Sequence, residues 1–357
     1  MTWFSWGLGE LTGAADGPPT APDAPVAARV QALVRALSPL SIDVSQVLVG
    51  RAALHGWRRA GHVSANGSCR LVRAADGWLA VNLSRPTDLD LLPALLEADV
   101  TTDPWTALTT AAATRPAAEL AARAQLLGIP AAVPHSAATL RPLRTSLLGE
   151  PAPAGALVVL DLSAMWAGPL CAHLLGRAGA QVVKVEDVRR PDGARFGPPK
   201  FYDDLHRGHA GVVLDFSTPE GRTALSNLAA DADLVIESSR PRALRRLGLV
   251  AEDWLTAAPG RTWISITGYG RDDPDQRVAF GDDAAVAGGL IATAPDGTPV
   301  FCGDAIADPL TGLFAAAAAL ASRRAGGGHL LDIAMAGVAA HTARPGAGDP
   351  GSEWALC

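Results

Sequence analysis

From residue 157 onward the chain alternates short β-branched apolar runs with helical patterns, and this rhythm restricts the possible folds more than any other feature. Val158-Val-Leu-Asp-Leu162 is a nearly continuous apolar run. A Gly168-Pro169 turn, a helical pattern over Leu170–Ala178 and a second run at 182–186 follow it. Further strands are predicted at 212–216, 234–237 and 262–267, with helices at 218–230, 242–247 and 252–258 between them. Thr218-Pro219-Glu220 is a helix start, a capping hydroxyl followed by proline at the first helical position. Strands alternating with helices imply a doubly wound, mainly parallel sheet of the Rossmann-like α/β class. Ligands of such sheets bind outside the carboxyl ends of the strands, which directs attention to the loops after Leu162, Glu186, Glu237 and Thr267.

The chain before residue 157 reads differently. A Pro-rich loop at 17–22 separates an N-terminal arm from a helical pattern at Val26–Leu37, and two alternating runs around Asp76-Gly77 predict a hairpin. Helical patterns at 88–97, 103–113 and 117–127 end at Gly128-Ile129-Pro130, and 131–156 carries four prolines. The expected division is an arm and helical segment at 1–64, a smaller α+β domain at 65–135, a linker at 136–156, the Rossmann-like domain at 157–345 and a tail at 346–357.

Composition narrows the function. A formal charge of −6, with no run of Lys or Arg longer than two, gives no electrostatic footprint for nucleic acid. The apolar stretch at 313–321 is too short to span a bilayer, and residues 1–17 lack a basic segment ahead of an apolar block, so a cytoplasmic protein without membrane partners is expected. Cys69, Cys171, Cys302 and Cys357 are scattered without a CxxC pair, which predicts buried thiols and no metal. The turn Ser163–Pro169 has neither GxGxxG nor GxxxxGK, and no GxSxG elbow occurs, so dinucleotide dehydrogenase, P-loop and hydrolase readings lack their motifs. His173 reads as a packed or surface histidine, and Trp78 and Trp105 as core aromatics.

Five ordered blocks carry a resemblance: the strand–helix–strand segment 159–186, Leu214-Asp-Phe-Ser-Thr-Pro-Glu-Gly221, Asp233-Leu-Val-Ile-Glu237, Arg240-Pro-Arg-Ala-Leu-Arg-Arg-Leu-Gly248 and Ser265-Ile-Thr-Gly-Tyr-Gly270. Together they resemble the class III CoA-transferases. The family's catalytic aspartate opens a helix in a D-x-x-x-G context, matched here by Asp308-Pro-Leu-Thr-Gly312. Asp308 would be the nucleophile, a carboxylate of low pKa; read from its neighbours alone, an Asp before Pro is simply a helix N-cap. Backbone N–H groups near Trp166 and Ala167, or Gly288-Gly289, are candidate oxyanion donors.

The resemblance also implies coenzyme A as substrate thioester, a carboxylic acid as co-substrate, and a homodimer. CoA contacts are implied for Met165, Trp166, Ala167, Ser238, Ser239 and Arg246. His209 stands in a loop where relatives carry cationic phosphate contacts, and Arg189 with Arg190 would compensate; each of these arginines reads equally well as solvated surface. Relatives of the racemase branch place a histidine where this chain has Phe280, followed by Gly281-Asp282-Asp283, which favours transfer over α-proton exchange, unless Asp282 or Asp283 stands in. An acyl-CoA isomerase and an inactive CoA-binding relative are the alternatives. The small lobe precedes the strand–helix region, the reverse of the family's order. Ala325–His329 is a weak candidate for the family's glycine-rich loop and otherwise a helix–strand connection.

Overall fold

The computed structural model describes residues 2–240 and 242–344. Helices α1 (Val26–Ala36) and α2 (Val44–His55) come first. The hairpin β1 (Cys69–Arg73) and β2 (Trp78–Asn82) pairs antiparallel, with Arg73 opposite Trp78 across the expected Asp-Gly turn. Four short helices follow: α3 (Pro86–Asp90), α4 (Leu92–Leu96), α5 (Pro104–Ala112) and α6 (Ala117–Leu126). Strand β3 (Ala131–Ala132) completes a three-stranded sheet on β2. Val72, Leu79 and Val81 of the sheet bury against Leu92, Leu108 and Leu120 of the helices, which gives this lobe its own core.

The large sheet is built from β4 (Leu143–Leu147), β5 (Val158–Leu162), β6 (Gln181–Asp187), β7 (Ala210–Leu214), β8 (Leu234–Glu237), β9 (Thr262–Thr267) and a C-terminal strand at His329–Ala334. Its connecting helices are α7 (Ala167–Arg177), α8 (Pro199–Leu205), α9 (Pro219–Ala230), α10 (Arg242–Arg246), α11 (Ala251–Thr256), α12 (Gly281–Gly288) and α13 (Ala307–Arg324). A small pair, β10 (Ala292–Thr293) with β11 (Pro299–Val300), sits between α12 and α13. The C-terminal strand is therefore β12, and α14 (Met335–Ala343) closes the described chain.

The strand order is β4-β12-β9-β8-β5-β6-β7, all parallel except β4. Both halves wind outward from β5 and β8, so the crevice where the winding reverses opens at the carboxyl ends of those two strands. Strands β8 and β12 are buried along their full length, as expected for a parallel sheet covered on both faces.

Two stretches depart from expectation. The N-terminal segment is no free arm: Trp3, Trp6 and Leu8 are buried in the main core with Val30 and Leu48. They lie in or beside short 3-10 turns, which are too brief to show a helical period. The segment read as a linker holds β4, an edge strand pairing antiparallel with β12. It sits between Pro142 and Pro151, and its mostly exposed residues give no apolar alternation to read. The tail expected at 346–357 lies outside the described residues, as does Cys357. Cys69, Cys171 and Cys302 are free and buried.

Candidate active site

Asp308 is the second residue of α13, whose N-cap is Ile306. The expectation that Asp308 caps this helix is corrected: its own N–H is bonded to Ala305 O at 2.8 Å, so the chain is already turning when it reaches Asp308. Proline at 309 is still compatible, because N–H groups of a first turn lack intrahelical partners. The carboxylate instead receives the Gly281 N–H at the start of α12. A Cβ on Gly281 would stand 2.5 Å from Asp308 Oδ2 and 2.3 Å from Ala305 O, so only glycine permits this approach.

Four carboxylates converge here. Asp282, Asp283 and Asp304 are buried, and Asp308 keeps part of its surface accessible although protein surrounds it on nearly every side. Arg51 of α2 grips Asp304 with both arms of its guanidinium, Nε to Oδ2 at 2.7 Å and Nη2 to Oδ1 at 2.5 Å. Asp282 accepts from Ala305 N–H at 2.9 Å and from Asn66 Nδ2 at 3.1 Å. Asp283 accepts from Phe280 N–H and Asn82 Nδ2, and its second oxygen has no partner among the described residues.

Burial pushes the Asp308 carboxyl up to about 7; Arg51 and the Gly281 N–H oppose the rise, and the charges of Asp282 and Asp304 add to it. The low pKa expected for this carboxylate from sequence is therefore corrected to one near neutrality, because burial outweighs Arg51 and the Gly281 N–H. Burial likewise carries Asp282 to about 6 and Asp283 to about 8.

For Asp283 this has a consequence for stability. A carboxyl raised above its unfolded value of about 3.9 binds its proton more tightly when folded, so stability falls as pH rises from about 4 through the folded pKa near 8. Asp283→Asn keeps the acceptor for Phe280 and Asn82 and cannot ionise. Thermal melts are expected to match the native protein at pH 5 and to exceed it by on the order of 5 °C at pH 9. Equal melting temperatures at pH 9 would refute the assignment.

The first β-turn of the Rossmann-like half lacks glycines, and a buried network shapes it instead. Lys184 Nζ donates to Ser163 O and lies 3.1 Å from Asp192, whose Oδ1 accepts the Met165 N–H at 2.8 Å. Met165 is thereby held at φ 73°. Trp166 then caps α7, and Ala167 O would be 2.8 Å from a Cβ on Gly312, which sets this turn one helical turn beyond Asp308. Ala164 N–H donates to Ser238 Oγ at 3.1 Å and ties the loops after β5 and β8 across the crevice.

Beside that crevice lies a cleft of about 290 Å³ lined by Ser238 and Ser239 together with Arg240, Arg242, Arg245, Arg271 and Arg277. Its wall at Val278–Ala279 is followed in the chain by Phe280 and Gly281, the residue whose N–H meets the Asp308 carboxylate. Arg271 and Arg277 are tied to Glu252 and Asp273, and Arg245 to Glu252. Arg240 and Arg242 are exposed and have no acidic partner among the described residues.

The other residues singled out from sequence lie elsewhere. Arg246 is exposed outside the cleft lining, where its neighbour Arg245 takes the place. Arg189 is exposed near Asp215 at 3.7 Å, and Arg190 is exposed beside it. His209 packs against Gly176 of α7, with the His206 and His173 rings nearby, so a phosphate contact there is not supported. Gly288 and Gly289 close the far end of α12, packed on Ala339 and His135, and cannot serve an oxyanion at Asp308. Arg51, Asn66 and Asn82 were missed because no local motif marks them. The run of arginines at 240–246 was the one signal for the cleft. Among the described residues no group of His, Cys, Asp and Glu is arranged to hold a metal ion, and no helix is long and apolar enough to cross a membrane.

Fold and site define a doubly wound α/β protein with an arginine-lined cleft at the carboxyl end of β8 and a cluster of buried carboxylates around Asp308. The sequence model of CoA-transferase family III matches residues 156–352, and the chain belongs to that family. It is 33% identical over 199 residues to succinyl-CoA–D-citramalate CoA-transferase of Chloroflexus aurantiacus, covering 52% of this chain and 50% of that one. Human succinyl-CoA:glutarate CoA-transferase is 36% identical over 173 residues, 46% of this chain and 40% of its own. A CAIB/BAIF family protein from Brucella suis shares 30% identity with a TM-score of 0.48, covering 54% of this chain and 55% of that one. The chain spans about half the length of the curated relatives it matches.

Proposed function

We propose that this protein is a cytoplasmic, homodimeric enzyme that moves CoA from an acyl-CoA thioester to a carboxylic acid through covalent intermediates on Asp308. The observation that carries the reading is a partly accessible Asp308 carboxyl, pushed up to about 7 by burial and hydrogen-bonded to Gly281, two residues after the Ala279 wall of an arginine-lined cleft. Asp308 attacks the thioester carbonyl and expels CoA thiolate, which leaves an aspartyl–acyl anhydride. The thiolate attacks the aspartyl carbonyl and releases the first carboxylate, giving an aspartyl thioester. The incoming carboxylate displaces the thiolate to form a second anhydride, and the thiolate attacks its acyl carbonyl, regenerating Asp308. Charge and protons balance throughout, so no external base is needed.

Carboxylate is both nucleophile and leaving group in this cycle, which suits a group that is about half ionised at neutral pH without being locked in an ion pair. Asp282 has both oxygens engaged by Ala305 and Asn66, which supports transfer over α-proton exchange with Asp282 as second base. The arginines of the cleft suit the phosphates of CoA, and the relatives' names direct the first assays to succinyl-CoA with glutarate, malate or citramalate.

Incubation with succinyl-CoA and hydroxylamine followed by peptide mass spectrometry is expected to yield an aspartyl hydroxamate at Asp308. Protein that binds CoA yet forms no adduct with any of a panel of acyl-CoA thioesters would overturn the covalent route.

A further inference from the structure

Arg51 lies on α2, outside the family-matched residues 156–352. Its guanidinium is held on two sides. Asp304, fully buried, takes Nε and Nη2, and the Trp166 ring lies 4.5 Å from the guanidinium carbon, with Trp57 at 5.5 Å and Phe201 at 5.8 Å. A planar fork clamped between a carboxylate and aromatic faces has little freedom left, and lysine cannot reproduce that grip.

Asp308 is faced by Asp282 of α12, by Asp304 of the preceding turn, by the Gly281 N–H and by Arg51, whose positive charge opposes the effect of burial. Asp283 of α12 bears on Asp282, and His55 of α2 senses both Arg51 and Asp304. Four acids, Asp282, Asp283, Asp304 and Asp308, against Arg51 leave the cluster short of positive charge. Since two of the N–H groups of Arg51 are spent on Asp304, its charge reaches Asp308 without a direct clamp that would occupy the attacking oxygen.

We propose that Arg51, contributed by the segment before the family-matched region and fixed in place by Asp304 and the Trp166 ring, is the positioning residue that keeps Asp308 available as an anion. The inference rests on Asp308 being the nucleophile. It assigns the N-terminal segment a part in the chemistry besides its packing.

The test uses the full-length protein labelled with side-chain ¹³C-aspartate, with Asp308 identified as the carboxyl resonance missing in Asp308→Asn. Arg51→Gln is expected to raise the Asp308 titration midpoint by at least about one pH unit and to cut succinyl-CoA:glutarate transfer at pH 7 about tenfold, with recovery toward pH 9. Asp304→Asn removes a negative charge while Arg51 stays hydrogen-bonded, so it is expected to move the midpoint down. Arg51→Lys, which keeps the charge and loses the fork, is expected to raise the midpoint, by less than Arg51→Gln does. Should Arg51→Gln fail to fold, opposite shifts in Arg51→Lys, upward, and Asp304→Asn, downward, still decide. Midpoints unmoved, or moved in the same direction by the Gln and Asn variants, overturn the inference. Full transfer by Asp308→Asn with the midpoints moving as expected would instead bring down the assignment of the nucleophile.

Discussion

Asp308→Asn is expected to lower CoA transfer by at least about a thousandfold while leaving CoA affinity within a few-fold of native. Asparagine is nearly isosteric, its carbonyl still accepts the Gly281 N–H, and it removes one negative charge from a cluster that holds too many. The variant is therefore expected to fold at least as well as the native protein at pH 8. A loss of rate would then report chemistry rather than collapse of the site. The amide is a far poorer nucleophile than carboxylate and cannot leave from an anhydride. CoA binding is read separately by calorimetry with free CoA, because the arginine cleft does not depend on the carboxylate. Turnover above about a tenth of native in the folded variant would remove the covalent mechanism.

The second large effect is expected at the cleft. Arg240 and Arg242 are exposed and without acidic partners among the described residues, and each other's charge together with burial lowers the proton affinity of Arg240. Two unpaired cations at the carboxyl end of β8 are a place for an anion bearing several charges, which fits the 3′-phosphate and pyrophosphate of CoA. The double variant Arg240→Glu/Arg242→Glu is expected to raise the KM for succinyl-CoA by about 30- to 100-fold and to change kcat by less than about threefold. Native KM should rise with salt, and the variant should lose most of that dependence. An unchanged KM would move the phosphate site elsewhere, with Arg189 and Arg190 the next pair to test.

Much of the architecture was legible because parallel strands buried on both faces leave continuous apolar runs. The strands at 158–162, 234–237 and 262–267 are found with those bounds. Strand β4 was not legible, since an edge strand faces solvent and its residues Arg144, Thr145 and Ser146 carry no apolar period. The N-terminal aromatics were missed for a related reason: Trp6 and Leu8 gain their burial from partners far along the chain, which short turns do not announce.

The site divides in the same way. Asp308 was singled out by the resemblance of its D-x-x-x-G setting, and the glycine four residues on is demanded by the approach of Ala167 and Leu170 to Gly312. The alternation of strands with helices followed from residue spacing, because periodicity is a property of the backbone between near neighbours. The charge state of the carboxylate followed from none of this. It depends on how deeply Asp308 is buried and on its distances to Asp282, Asp304 and Arg51, residues from three separate elements. Solvation and Coulomb energy act through space, so only the tertiary structure, by bringing α2, α12 and α13 together, decided that this carboxyl is held near neutral pH and not in the usual carboxylate range.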